Sequence, residues 1–155
     1  MEIARLLSPE AVIAGLKATS KKQALQELAK HAAELTGVGD RRIFDVLLER
    51  ERLGSTGVGQ GIAIPHARLG ELDRLFGLFA RLDTPIPFDA VDDQPVDLIF
   101  LLLAPESAGA DHLKALARIS RLLRDKANCA KLRGADNADA MYAVLVEPTA
   151  SHDAA

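Results

Sequence analysis

Two segments of this chain are apolar at almost every position: Leu75-Phe76-Gly77-Leu78-Phe79-Ala80 and Leu98-Ile99-Phe100-Leu101-Leu102-Leu103. Successive side chains of a strand point to opposite faces, so a strand apolar throughout must be covered above and below. Neither run can cross a bilayer, since that takes about 20 apolar residues and the longer one ends at Ala104. The pattern predicts a sheet with helices on both sides, a three-layer α/β sandwich.

The remaining elements fit around that sheet. Val12 to Leu16 is a short apolar run and an expected first strand. Ser20 opens a helix with a capping-box pattern, its hydroxyl accepting from the Gln23 amide while the Gln23 side chain reaches back. Ala24, Leu25, Leu28, Ala32 and Leu35 then recur at helical spacing until Gly37. Asp40 is the expected N-cap of a second helix carrying Ile43, Phe44, Leu47 and Leu48 and ending near Gly54. The Pro- and Asp-rich stretch TPIPFDAVDDQP, from Thr84 to Pro95, reads as a loop. A third helix starts at Asp111, with Leu113, Leu116, Ile119, Leu122 and Leu123 facing inward. A last helix is expected over Asp139 to Val146. Residues 1–146 are read as one domain and residues 147–155 as a poorly ordered tail.

Composition narrows the function. Nineteen Lys and Arg against 22 Asp and Glu leave a net charge of −3, and aromatics make up 4% of the chain, without Trp. A phosphate-backbone binder needs a basic face and stacking rings, so nucleic acid is not an expected partner. The single Cys129 makes no internal disulfide and no thiolate metal site by itself, and is read as a small buried or partly buried apolar residue. No HExxH or clustered Cys/His spacing suggests a metal. The N-terminal MEIARLLSPEAV lacks a signal-peptide apolar core, so the chain is expected to be cytoplasmic, without membrane insertion.

The informative window is GSTGVGQGIAIPHAR, Gly54 to Arg68. Gly54, Gly57, Gly59 and Gly61, beside Ser55 and Thr56, would let backbone amides approach an anion. The window fails the P-loop test because Gln60 stands where a Lys is required, and its glycine spacing is not GxGxxG. Ile64 precedes a proline and is driven to an extended conformation. His66 is therefore expected at the end of a short strand, Ile62 to Ile64, beside the glycine loop. A nucleophile and an anion cradle side by side suit a group-transfer site. Taken alone, each part has a plainer reading: the glycines as turns, Arg50 as part of the solvated charge run Glu49-Arg50-Glu51-Arg52, His112 as a structural residue at a helix start. His31 and His152 read as surface residues.

GSTGVGQGIAIPHA closely resembles the active-site signature of enzyme IIA components of the phosphoenolpyruvate-dependent phosphotransferase system. The matching branch is the mannitol/fructose class, and within it the nitrogen-regulatory IIA proteins. LLERERLGSTG, TPIPFDAVDDQPVDLIFLLLAPE and DHLKALARISRLLRD also look like that family's segments, in its order, so the resemblance runs from Leu6 to Val146. It implies a mixed central sheet. It also implies that His66 accepts a phosphoryl group, at Nε2 by family likeness, assisted by Arg50 and His112. Ser55 and Thr56 match as hydroxyl donors, with amides near Gly59 and Gly61 as further phosphate contacts. Ala67-Arg68 departs slightly from the family, where many members have Gly and then a basic residue.

The chemistry suits those roles. A neutral imidazole is a good nucleophile for in-line phosphoryl transfer, and the charge spread over three equatorial oxygens needs donors already in place. Arg50 would supply a planar, permanently charged fork, and His112 would sit in the first turn of a helix capped by Asp111, where free amides favour an anion. The resemblance implies no cofactor and no metal. It implies an HPr- or NPr-like phosphocarrier as donor. It leaves two outputs open: phosphorylation-dependent binding of regulatory target proteins, or transfer to a IIB component for sugar uptake. The absence of an attached membrane domain is read as favouring the regulatory branch.

Overall fold

The structure, a computed structural model, describes residues 2–147. The expected tail therefore lies outside the described residues except for Glu147, and so does His152.

β1 (Val12–Leu16) leads into α1 (Lys21–Thr36). The Ser20 side chain accepts from the Gln23 amide at 3.1 Å, and the Gln23 carboxamide reaches back to the Thr19 amide at 2.7 Å. Gly37 closes the helix with φ of 81°. Leu35, predicted on the inner face, is exposed instead, in the last turn beyond the buried Ala32. α2 (Asp40–Arg52) begins at the residue expected to cap it: Gly39 holds the N-cap position, and Asp40 lies in the first turn. A carboxylate there still faces free amides, so the sequence signal was displaced by one position.

β5 (Phe76–Ile86) and β6 (Val96–Ala104) are the two apolar segments, and both outrun them. β5 continues through Pro85 to a buried Ile86, which pairs with Val96, so the loop predicted from Thr84 starts only at Pro87. The register shifts between Arg81 and Ile86, where Pro85 has no amide to give. β6 lies inside a mixed sheet ordered β1-β5-β6-β3-β2, in which β2 is Gly57–Gly59 and β3 is Ile62–Ala63. It is antiparallel to β5, parallel to β3 and also parallel to β4 (His66–Arg68). Every residue from Leu98 to Ala104 has 0% exposure, so both faces of β6 are covered, as a three-layer α/β sandwich requires.

α3 (Ala110–Arg124), α4 (Lys126–Gly134) and α5 (Ala138–Val146) complete the chain. The N-cap position of α3 is Gly109, not Asp111, which again falls in the first turn. Leu113 is 67% exposed and points away from the core face formed by Ala115, Ile119, Leu122 and Leu123. α4 was not expected. Asp125 caps it by accepting from the Ala127 and Asn128 amides, but only Cys129 and Leu132 supply buried apolar side chains, too few to set a period. Cys129 is buried, as read, and its thiol donates to the Leu123 carbonyl at 3.1 Å.

Candidate functional site

Pro65 splits one strand into two. β3 pairs with β6 through Ile62 and Ala63, the Ile64 amide turns to the Thr56 carbonyl, and the Pro65 carbonyl, accepting from the Leu102 amide, leads into β4 with His66 opposite Leu102. His66 thus opens a strand where it was expected to close one, because the ladder recovers as soon as the proline is passed. Alternation along β4 puts His66 and Arg68 on one face of the sheet and Ala67 on the other.

The Nδ1 atom of His66 lies 2.8 Å from the Ile64 carbonyl oxygen. A carbonyl only accepts, so Nδ1 carries the hydrogen, and in the neutral ring the lone pair is on Nε2. His112, in the first turn of α3, places its ring centroid 5.9 Å from that of His66 at an interplanar angle of 70°. It is buried, and its Nδ1 accepts from Nε of Arg68 at 3.3 Å. Its Nε2 is buried without a hydrogen-bond partner among the described residues. Burial lowers the His112 pKa from its ordinary value, and the nearby His66 and Arg68 charges lower it further.

On the approach to β2, Arg50 donates from Nη1 to the Gly54 carbonyl at 3.0 Å, closing the turn after α2. Glu51 is buried. Its carboxylate accepts from the Thr56 amide at 3.0 Å and from the Thr56 hydroxyl, and pairs with Nζ of Lys21 at 2.9 Å. Ser55 donates from its hydroxyl to the Phe88 carbonyl at 2.8 Å and accepts from the Gly57 amide. Gly57 packs so closely that a Cβ would lie 2.8 Å from that of Ala90. Gly59, Gln60 and Gly61 all have positive φ, and they form the tight turn joining β2 to β3. Asp92 holds that turn by accepting from the Gln60 amide, and Arg133 holds it by donating to the Gln60 carbonyl. The structure therefore brings His66 and His112 together and places Arg50 at the loop's entrance. It gives both hydroxyls of Ser55 and Thr56 partners within the fold.

Residues 5–147 match the family described as Phosphoenolpyruvate-dependent sugar phosphotransferase system, EIIA 2. The chain belongs to this IIA family. A "Nitrogen regulatory protein" of Bradyrhizobium diazoefficiens is 62% identical over 151 residues, covering 97% of this chain and 99% of its own length. The one from Escherichia coli is 38% identical over 156 residues, covering 100% and 96%. Among solved structures, the Nitrogen Regulatory Protein IIA-Ntr of Neisseria meningitidis superposes with a TM-score of 0.88 at 34% identity, over 92% of this chain and 98% of that one. The mixed sheet and its flanking helices are thus those of a IIA domain. No helix among the described residues is long and apolar enough to cross a membrane, and no group of three His, Cys, Asp or Glu there is placed to hold a metal ion.

Three residues of this region escaped the sequence reading. Arg68 was noted only as the residue after Ala67, at a position where many family members carry a basic residue, Glu51 only as the neighbour of Arg50, and Lys21 not at all. The i, i+2 spacing of His66 and Arg68 on a strand signals a shared face. The partner across that face, His112, is 44 residues away, and only the fold supplies it.

Proposed function

We propose that this IIA domain is a phosphohistidine carrier that accepts a phosphoryl group on Nε2 of His66 from an HPr- or NPr-like phosphocarrier protein. The observation that carries the reading is the bond from His66 Nδ1 to the Ile64 carbonyl. It holds the ring in one tautomer and leaves the Nε2 lone pair for attack on phosphorus. The N–P bond of the donor's phosphohistidine breaks as the new N–P bond forms, so no cofactor or metal is required. The buried, unpartnered Nε2–H of His112 is a donor for a phosphoryl oxygen, and Arg50 offers a guanidinium at the mouth of the loop. Ser55 and Thr56 would first have to exchange their present acceptors, and amides near Gly59 and Gly61 would act from the hairpin turn.

The output we propose is nitrogen-regulatory: a phosphoryl group adds about −1.5 to −2 charges to one small surface and so alters the affinity of a target protein. The 62% identity to a nitrogen regulatory protein supports this branch. The alternative, passage of phosphate to a IIB component for sugar uptake, draws on 40% identity over 129 residues to a "PTS system fructose-specific EIIA component" of Haloferax volcanii.

Incubation with a phosphorylated carrier should give one acid-labile phosphate per chain, absent in His66→Ala. Full labelling of that variant would remove His66 from the mechanism. Pull-downs comparing wild type with His66→Ala, each exposed to the phosphorylated carrier, separate the outputs. Partners retained equally by both proteins would count against a phosphorylation switch.

A further inference from the structure

Arg68 has no role in the reading above, yet it makes a side-chain hydrogen bond to one of the site's histidines. A guanidinium only donates, so the His112 Nδ1 that receives it must present a lone pair. In the neutral ring the hydrogen then belongs on Nε2, the atom that is buried and has no partner among the described residues. A buried, unpaired N–H costs about 1–3 kcal/mol, so the ring left to itself would shed that hydrogen to Nδ1 or turn away. Something must hold it in place, and the atom that does so is Nε of Arg68. We propose that Arg68 is a positioning residue: it locks His112 in the Nε2–H tautomer, so that a hydrogen-bond donor waits for the phosphoryl oxygens beside His66 without His112 having to gain a proton. The proposal rests on the phosphocarrier reading.

The surroundings leave this task to Arg68. The charged groups that act on His112 are His66 and Arg68 on β4. Its own helix also carries Asp111, Lys114, Arg118, Arg121 and Arg124, and the other elements packed on α3 carry Arg5 on the 3-10 turn Ile3–Arg5 and Lys126, Lys131 and Arg133 on α4. β6, on which α3 also packs, presents only apolar side chains from Leu98 to Ala104. Of these groups only Arg68 bonds His112. Arg68 is an exposed residue outside the hydrophobic core, so replacing it should leave the core intact.

The tautomer gives the proposal a pH signature. Above its pKa, His112 is neutral and depends on Arg68 to keep hydrogen on Nε2. Below it, the ring carries hydrogen on both nitrogens, and Arg68 no longer matters for the tautomer. The ratio of variant to wild-type rates at each pH reads out this dependence.

The test compares wild type, Arg68→Met and Arg68→Lys by histidine 15N–1H correlation spectra and by the rate of transfer from a phosphorylated carrier across pH. Wild type should show His112 as Nε2–H. Arg68→Met should show a mixture of tautomers and transfer about fivefold more slowly near pH 8, the loss expected of one ordinary hydrogen bond. That deficit should narrow as pH falls below about 6.5. Arg68→Lys, which keeps a cationic donor, should recover most of the rate. A wild-type tautomer and rate in Arg68→Met would overturn the proposal, and so would a slow variant whose tautomer is unchanged or whose deficit is constant with pH. A wild-type protein that takes no phosphate would overturn the carrier reading itself, while the spectra would still report whether Arg68 sets the tautomer.

Discussion

The two histidines of the site differ in one respect that decides their chemistry: each ring has one nitrogen committed to a neighbour, and the neighbours have opposite character. A carbonyl acceptor under His66 leaves its Nε2 a nucleophile, whereas a guanidinium donor on His112 leaves its Nε2 a donor. Neutral His112 also ties stability to pH. Its folded-state pKa lies below the ordinary value, so the unfolded chain binds the proton first as pH falls. The contribution is fully present above about pH 6.5 and is lost as pH drops below it. Urea midpoints should therefore fall more steeply between about pH 7 and 5 for wild type than for His112→Gln, and parallel slopes would contradict this. Cys129 is a second residue-scale case. Burial raises its thiol pKa above the ordinary value, so a thiol reagent at neutral pH should label it slowly in the native protein and rapidly after unfolding. Rapid native labelling would place the thiol at the surface.

At the scale of elements, the loop between α2 and β3 is set by a few bonds that reach well outside it. Glu51 ties the end of α2 to Thr56 and to Lys21 at the start of α1. Replacing it by Gln leaves Lys21 only the more distant Asp89 carboxylate at 3.8 Å and faces an amide donor against other donors. We expect Glu51→Gln to cost about 2–4 kcal/mol in urea unfolding, where an exposed change costs less than about 0.5. The hairpin turn permits a paired comparison. Gly61 has φ of +81°, and a Cβ there would lie 2.6 Å from Nη2 of Arg133 and 2.9 Å from the Asp97 carboxylate. Gly61→Ala should lose about 1–2 kcal/mol from the backbone alone and should also disturb the Arg133–Asp97 pair. Gly134, at the end of α4 with open space around its Cα, should accept Ala at no loss or a gain of about 0.5 kcal/mol. Equal effects at the two positions would show that the turn does not need its glycine.

Across the whole molecule, stability rests on β6 and what covers it. Leu101 sits at 0% exposure mid-strand, so Leu101→Ala should cost about 2–5 kcal/mol, while Leu113→Ala on the exposed side of α3 should stay within about 0.5. Thermal or urea unfolding of the two variants checks the contrast. The unbroken apolar runs of β5 and β6 announced the covered sheet, and the Ser20 cap and Gly37 stop announced α1, because both signals are local. α4 was illegible since its face holds too few apolar residues, and the far end of β5 was hidden behind Pro85, which a strand tolerates where its ladder is already irregular. The window around His66 was legible as a motif, and its likeness to the IIA family came with it. The bonds that define the site were not. The sequence by itself determined a three-layer α/β domain with a histidine delivered after a proline beside a glycine turn, because periodicity and proline geometry act over a few residues. The tertiary structure decided which nitrogen of each histidine is free and which arginine holds His112. Those choices depend on hydrogen bonds made in three dimensions, and the decisive one spans 44 residues of chain.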